Sequence, residues 1–323
     1  MNVSLAIFPC NKGFATIMKK GLMEVSMKIG IIGGGSIGLL IAGRLGRKHE
    51  VTLFTRTQSQ ADKINIAGGI EIKGISPVYT ACRAEMLANS EAIAVQELII
   101  VTVKQGAIDE IIPRIHYANS PLLFLQNGMS HLKKLECLHS PSVYVGITEH
   151  GALRENETTT VHTGMGAIRV GLLRGKRQMP PLANQDDDFP IEEVKDIYPS
   201  LIEKLIVNAC INPLTAILGV KNGALRTNPY FSQVLKELCA EVCLGLGIEK
   251  HRHAEYLEKV SLICERTAEN KSSMLRDIEM NRKTEIESIL GFCLEEANRR
   301  NIKMTLVSTL YAMVRGLEGN GGL

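Results

Sequence analysis

Tryptophan is absent from this 323-residue chain, and aromatic residues together make up only 4% of it. That scarcity argues against a base-stacking platform for single-stranded nucleic acid, which needs aromatic faces in series. Charge of one sign is lacking too. The 37 Lys and Arg nearly balance the 34 Asp and Glu, leaving a net +3. No basic cluster stands out that would suit a nucleic-acid backbone or an anionic membrane. No apolar stretch reaches the ~20 residues that a membrane-spanning helix needs. The eight cysteines follow no disulfide framework spacing. Cys239 and Cys243 lie one helical turn apart, yet no second Cys or His pair sits at metal-ligand distance. No metal site is therefore expected, and the thiols read as reduced core residues of a cytosolic protein.

What is present suits a soluble globular chain: 45% hydrophobic and 22% charged residues, with length enough for two separate cores. Residues 1–26 lack the order of a secretory signal, in which a basic start precedes a long apolar run and a small-residue site. They read as a disordered extension or a start-site artefact. The folded chain is expected to begin at Met27.

Lys28 to Ile32 is a short β-branched run followed at once by Gly33-Gly34-Gly35-Ser36-Ile37-Gly38. Glycines 33, 35 and 38 fit G-x-G-x-x-G, Leu39 to Arg47 has helical composition, and Val51 to Phe54 is the next strand. That strand-turn-helix-strand context is what a dinucleotide site of the Rossmann type requires. Gly33 permits the tight turn, Gly35 lets backbone approach a pyrophosphate, and Gly38 lets helix and strand pack closely. The helix start then faces the phosphates. An NAD-specific site places an acidic residue about 20 positions on. Here no acid occurs from Val51 through Ala61, and Arg56 closes the strand. A guanidinium suits a 2′-phosphate, so NADP(H) is the expected cofactor, the plainer reading of Arg56 being an ordinary exposed arginine.

The runs from Glu97 to Val103 and from Pro121 to Leu125 read as parallel strands buried on both faces. They end at Lys104-Gln105 and at Gln126-Asn127-Gly128. Those residues share the carboxyl edge of the sheet with Gly33 and Arg56, where ligands bind in open α/β sheets. Val143 to Thr148 is a fifth strand. Thr158 to His162 and Ala167 to Gly171 look like a hairpin closing the sheet, with His150 and His162 read either as site residues or, more plainly, as surface or hairpin histidines. A polar, proline-flanked stretch from Pro180 to Pro190 follows. The pattern then turns helical over Ile191 to Asp196, Leu201 to Leu218 with a break near Pro213, Asn228 to Gly247, Ala254 to Glu269 and Thr284 to Arg300. The expected organisation is an extension over 1–26, a nucleotide-binding domain over 27–195 and a helical domain over 196–323.

Within the first long helix, Lys204, Asn208 and Asn212 recur every four residues among Leu, Ile, Val, Ala and Cys. Four-residue steps drift only about 40° per step, so the three polar heads share one sector of the helix. An ammonium and two amides in a core-facing sector need hydrogen-bond partners. Either another helix's carbonyls or a small ligand rich in acceptor oxygens would serve. Further on, Thr284 and Glu287 have capping-box spacing. Glu285 then falls in the first turn, while Ser272 or Ser273 can cap the preceding turn.

The motifs Gly33-Gly-Gly-Ser-Ile-Gly38, Val103-Lys104-Gln105, Gln126-Asn127-Gly128, Lys204-Leu-Ile-Val-Asn208-Ala-Cys-Ile-Asn212-Pro-Leu-Thr and Ser272-Ser-Met-Leu-Arg-Asp277 followed by Thr284-Glu285-Ile286 together resemble the ketopantoate reductase (2-dehydropantoate 2-reductase) family. The resemblance runs from Met27 to about Arg300, and no position in these motifs departs from it. It implies an α/β fold: a Rossmann-type doubly wound sheet domain, then an all-helical C-terminal domain, with the substrate in the cleft between them. It implies NADPH-dependent reduction of ketopantoate to pantoate, a step of pantothenate and coenzyme A biosynthesis. By similarity Lys204 is the general acid with Glu285 beside it, and Asn208, Asn212 and Ser273 hold substrate. Lys104 and Asn127 contact the cofactor near its reactive end, and Arg56 meets the 2′-phosphate. A reductase of another small 2-oxo or 3-oxo acid is the nearest alternative. A non-catalytic NADP-binding sensor is a more distant one, because it has no need of the lysine. Helical surfaces such as Asn228 to Gly247 are compatible with packing inside the domain or across a homodimer.

Overall fold

The computed structural model describes residues 26–176, 182 and 188–319. The expected amino-terminal extension, apart from Ser26, lies outside the described residues. So do residues 180, 181 and 183–187 of the proline-flanked stretch. Among the described residues twelve strands form two sheets.

The larger sheet is built from β1 (Lys28–Ile32), β2 (Glu50–Thr55), β5 (Arg83–Met86), β6 (Leu98–Val101), β7 (Leu122–Phe124), β8 (Ser142–Thr148), β11 (Ile168–Gly175) and β12 (Ile191–Glu193). Its spatial order is β12-β11-β8-β7-β6-β1-β2-β5. The pairs from β5 across to β8 are all parallel, whereas β11 runs antiparallel to β8. Chain order moves outward from β1 in one direction, then returns and moves outward in the other. The switch between β1 and β6 opens a crevice at the carboxyl ends of those strands. The apolar runs account for this placement: β6 and β7 are buried at every residue, as strands covered on both faces must be.

A smaller sheet joins β3 (Gly69–Gly74), β4 (Val78–Ala81), β9 (Gly151–Arg154) and β10 (Thr159–Gly164) in the order β4-β3-β10-β9. It covers the outer side of the helix Ser36–Leu45, in which every residue from Gly38 to Leu45 is buried. The expected hairpin is therefore not formed. Thr159–Gly164 pairs with β9 and β3, whereas Ile168–Gly175 crosses to the larger sheet and pairs with β8. Alternation alone identifies both strands but cannot assign them to sheets. The segment expected to be helical at Ile191 is also a strand. Its backbone completes the edge of β11, with Ile168 N donating to Pro190 O at 2.9 Å and Val194 N to Val170 O at 2.8 Å.

The carboxyl-terminal half packs helices around Tyr198–Leu218, which runs through Pro213 without the expected break and touches Pro229–Gly245, His253–Arg266, Ser273–Glu279 and Thr305–Gly319. By length and composition Tyr198–Leu218 is apolar enough to cross a membrane, contrary to the sequence reading. Here it is the mostly buried axis of the helical half. One continuous apolar cluster joins its Leu201, Leu205, Ile206 and Ile211 to Ile99, Val101, Phe124 and Val145 of the sheet. The long helix is thus docked on the larger sheet, and its polar sector is held at the sheet's carboxyl edge. The seven described cysteines are free. Six are buried as expected, but Cys137 is exposed. No group of three or more His, Cys, Asp or Glu among the described residues is arranged to hold a metal.

The capping box does not form either. Thr284 donates both its N–H and its hydroxyl to Glu318 of the last helix, at 2.7 and 2.6 Å, while the Glu287 carboxylate accepts from the Tyr311 hydroxyl at 2.5 Å. A carboxylate from a distant helix has displaced the local partner.

Candidate active site

The glycine loop follows β1 as expected. Gly33 has φ +116°, and a Cβ on Gly38 would lie 1.8 Å from the Gly33 carbonyl oxygen, so side chains at both positions are excluded. Four side chains or backbone groups brace the loop. Thr102 Oγ1 donates to the carbonyls of Ile32 and Gly33 at 3.1 and 3.0 Å, and Gln60 Nε2 to that of Gly34 at 2.9 Å. The Ser36 hydroxyl accepts from Arg154 N at 3.0 Å, and the Ser36 carbonyl accepts from Thr160 Oγ1 at 3.2 Å. Ile37 packs against the core beneath. Space is open above Gly35, no side chain caps the helix it begins, and no acid occupies its first turn. Uncapped N–H groups facing open space, without a competing carboxylate, fit a pyrophosphate. Arg56 stands exposed one residue past β2. This arrangement fits a dinucleotide.

Lys104 and Asn127 lie past the ends of β6 and β7, but their heads are turned to the helical half. Lys104 Nζ forms an ion pair with Asp277 Oδ2 at 2.8 Å and donates to the Lys283 carbonyl at 3.1 Å. Asn127 Nδ2 donates to Glu285 Oε2 at 3.0 Å, and Gln105 N approaches Glu285 Oε1 at 3.5 Å. The next residue, Gly128, has φ +78°, and a Cβ there would lie 2.2 Å from the Ser288 carbonyl oxygen. The two halves therefore meet backbone to backbone at this point. Burial raises the Glu285 carboxyl above its ordinary range. The Asn127 amide, the Lys104 charge and the Gln105 N–H oppose that rise.

Lys204 projects from the long helix to the end of β8, where its Nζ donates to the Thr148 carbonyl at 2.5 Å. Burial lowers its pKa from 10.5 to about 8, against the attraction first of Glu285 and then of Glu149. Glu285 thus acts on Lys204 through its charge, while its own hydrogen bonds go to Asn127 and Gln105. One and two turns on, Asn208 is half-buried and Asn212 is 7% exposed. Of the two readings of this sector, the carbonyls of another helix are not its partner. Among the described residues only Lys204 of the three meets a backbone carbonyl, and that carbonyl belongs to a strand. Ser273 opens the helix Ser273–Glu279 and is exposed. Ser272 is its cap, accepting from Leu275 N at 3.1 Å and from Thr215 Oγ1 at 2.7 Å.

Lys204, Glu285, Asn127 and Lys104 therefore gather at one junction of sheet edge and helices. The glycine loop and Arg56 line the same carboxyl edge further along. Sequence reasoning missed Thr148, Glu149 and Asp277 at the junction, and Gln60 and Thr102 behind the loop. Thr148 was legible in principle, since it too ends a parallel strand. His150 and His162, read either as site residues or as surface or hairpin histidines, are not at the surface but buried against one another.

The model for "Ketopantoate reductase PanE/ApbA" matches residues 29–175, and that for "Ketopantoate reductase PanE/ApbA C terminal" matches residues 196–318. A 2-dehydropantoate 2-reductase of Bacillus subtilis (strain 168) is 41% identical over 299 residues, covering 91% of this chain and 98% of that protein. The crystal structure of a probable 2-dehydropantoate 2-reductase from Bacillus subtilis superimposes with a TM-score of 0.79 at 40% identity, covering 90% of this chain and all of that one. D-mandelate dehydrogenase, solved with NADH and anilino(oxo)acetate, shares the fold with a TM-score of 0.79 at 21% identity, covering 91% of this chain and 99% of that one. With both halves matched in sequence and in architecture, this chain belongs to the ketopantoate reductase family.

Proposed function

We propose that this protein reduces 2-dehydropantoate (ketopantoate) to pantoate with NADPH. Residues 27–195 would hold the cofactor and residues 196–323 would supply the substrate site. The observation that carries the reading is Lys204. It is an ammonium of lowered basicity at the sheet edge, backed by a buried carboxylate and followed on its own helix face by two asparagines.

In the cofactor site, the glycine loop would take the pyrophosphate and Arg56 the 2′-phosphate, with Lys104 and Asn127 near the reactive end. Reduced nicotinamide supplies the hydride when bound. The rest is this chain's own work. As the ketone oxygen gains negative charge, the Lys204 ammonium stabilises it and gives up a proton, leaving a neutral amine that solvent recharges. Such a donor contributes typically about 10²–10⁴-fold. A pKa of about 8 leaves Lys204 protonated at neutral pH and weakens its hold on the proton. Glu285 keeps the ammonium charged in a site where burial alone would discharge it. Asn208 and Asn212 each donate and accept, which suits a hydroxyl and a carboxylate, and exposed Ser273 adds a donor for the carboxylate.

The test is NADPH consumption by the purified protein with ketopantoate, against pyruvate, 2-oxoisovalerate and oxaloacetate, repeated with NADH. A strong preference for ketopantoate with NADPH is expected. Turnover of a different acid would keep the chemistry and replace the substrate. NADPH binding without turnover of any acid would refute the enzymatic reading.

A further inference from the structure

The turn Thr148-Glu149-His150, between β8 and β9, has no role in the reaction as set out so far, yet each of its residues bears on Lys204. Thr148 offers the carbonyl that receives the ammonium at 2.5 Å. Its hydroxyl also accepts from His150 N at 3.3 Å, which closes the turn. The Glu149 carboxylate is clamped by Arg169 at 2.6 Å, and Arg169 is paired in turn with Glu192 at 3.3 Å. Glu149 N is fixed to the Ala167 carbonyl at 2.9 Å.

His150 anchors the turn from behind. It is 5% exposed and lies flat on Phe189, with ring centroids 4.4 Å apart at 21°. Its Nδ1 is 3.1 Å from His162 Nε2. His162 Nδ1 lies 3.2 Å from the Ile75 carbonyl and 3.3 Å from the Arg44 guanidinium, which itself donates to the carbonyls of Ile75 and Ser76. A relay of two imidazoles thus ties the turn to the smaller sheet and to the glycine-loop helix. Burial, then the facing charges of His162 and Arg44, hold His150 uncharged down to about pH 4. Burial likewise lowers His162, which also faces Arg44 and Asp188. The relay is consequently neutral and unchanging across the pH range in which Lys204 titrates.

We infer that the turn Thr148–His150 is the positioning element for the proton donor: Thr148 directs the Lys204 ammonium, Glu149 sustains its charge, and the His150–His162 pair locks the turn in place. The inference rests on Lys204 being the proton donor, as proposed above. Glu149 and Glu285 are the charged groups acting on Lys204, so a carboxylate lost at 149 must lower its pKa. A turn released from His162 must cost alignment, where a displacement of about 1 Å can cost as much as 10²-fold in rate.

The test uses the full protein and two readouts. One is the pH dependence of kcat with ketopantoate and NADPH. The other is titration of Lys204 by NMR of protein carrying ¹³C-labelled lysine, assigned by its loss in Lys204→Met. The variants are Glu149→Gln, His150→Phe and His150→Asn. The phenyl ring keeps the stack on Phe189 but loses the bond to His162, whereas the amide can replace Nδ1. In Glu149→Gln and His150→Phe, both the Lys204 titration and the basic limb of kcat should move to lower pH by about half a unit or more. The kcat plateau of His150→Phe should fall about tenfold. His150→Asn should restore the native limb. A merely structural role would lower the folded fraction and leave the titration in place. Wild-type titration in both shifted variants would overturn the inference. Should His150→Phe not fold, Glu149→Gln decides alone, because its side chain is 42% exposed. A titration that moves while the rate limb stays would remove Lys204 as proton donor and overturn the reading beneath.

Discussion

Replacing Lys204 by methionine should make the protein more stable and nearly inactive. Lys204 titrates at about 8 in the folded chain, against 10.5 for an ordinary lysine. The unfolded chain therefore binds the proton more tightly, and a difference of this size corresponds to roughly 3 kcal/mol. Below pH 8 the folded protein carries that whole penalty. Between pH 8 and 10.5 the penalty fades, because the folded lysine is already neutral. Methionine has similar length and no charge, so Lys204→Met removes the penalty. It also leaves the Thr148 carbonyl without its donor, which costs about 1–3 kcal/mol if no water reaches it. The net gain expected at pH 7 is about 0–2 kcal/mol, or up to about 3 °C in melting temperature for a chain of this size. Turnover should fall by about 10²-fold or more. Urea unfolding of both proteins at pH 7 and pH 10 measures the effect. The advantage of the variant should shrink at the higher pH. A destabilised variant, or an advantage that does not change with pH, would refute the argument from the lowered pKa.

Arg56→Ala should weaken NADPH far more than NADH, read as the ratio of the two dissociation constants. Equal weakening would remove the 2′-phosphate role. Asn212→Ala should raise the KM for ketopantoate while leaving NADPH affinity unchanged, measured by steady-state kinetics and fluorescence titration. A change confined to NADPH would move Asn212 out of the substrate site. Gly128→Ala places a methyl group 2.2 Å from the Ser288 carbonyl at φ +78° and should cost about 1–3 kcal/mol in denaturant unfolding. A neutral result would show that the two halves separate at this contact without penalty.

The parts of the fold legible in the sequence were those determined locally. β1, β6, β7 and β8 announce themselves as apolar runs, and the glycine loop by its spacing. The Lys204 sector follows from the helical period. What escaped was decided by distant partners. Ile191-Glu-Glu-Val has apolar residues three apart, as a helix would, but the open edge of β11 takes it as a strand. Thr284 has a suitable local partner in Glu287, yet Glu318 arrives from the last helix and binds it instead. His150 and His162 look like loop histidines because nothing in their neighbourhood announces that Arg44, more than a hundred residues earlier, will be beside them. The same holds at the site. Lys104 and Asn127 were identifiable as polar residues past strand ends, and Glu285 as an acid in the first turn of a helix. Their mutual contacts across the cleft required the docked helical half.

The helix that follows the glycine loop is clasped between two sheets, and this has a consequence for synthesis. β1, β2 and the helix Ser36–Leu45 leave the ribosome early, but the cover over that helix includes β9 and β10, which end at Gly164. At about 5–20 residues per second, the intervening ~120 residues take roughly 6–24 s to make. During that interval β3 and β4 alone are available to cover the helix, the lid lacks its other two strands, and Ser36 lacks the two groups, Arg154 N and the Thr160 hydroxyl, that will hold it. The loop that reads from the sequence as the first finished piece of the molecule is among the last to acquire its shape.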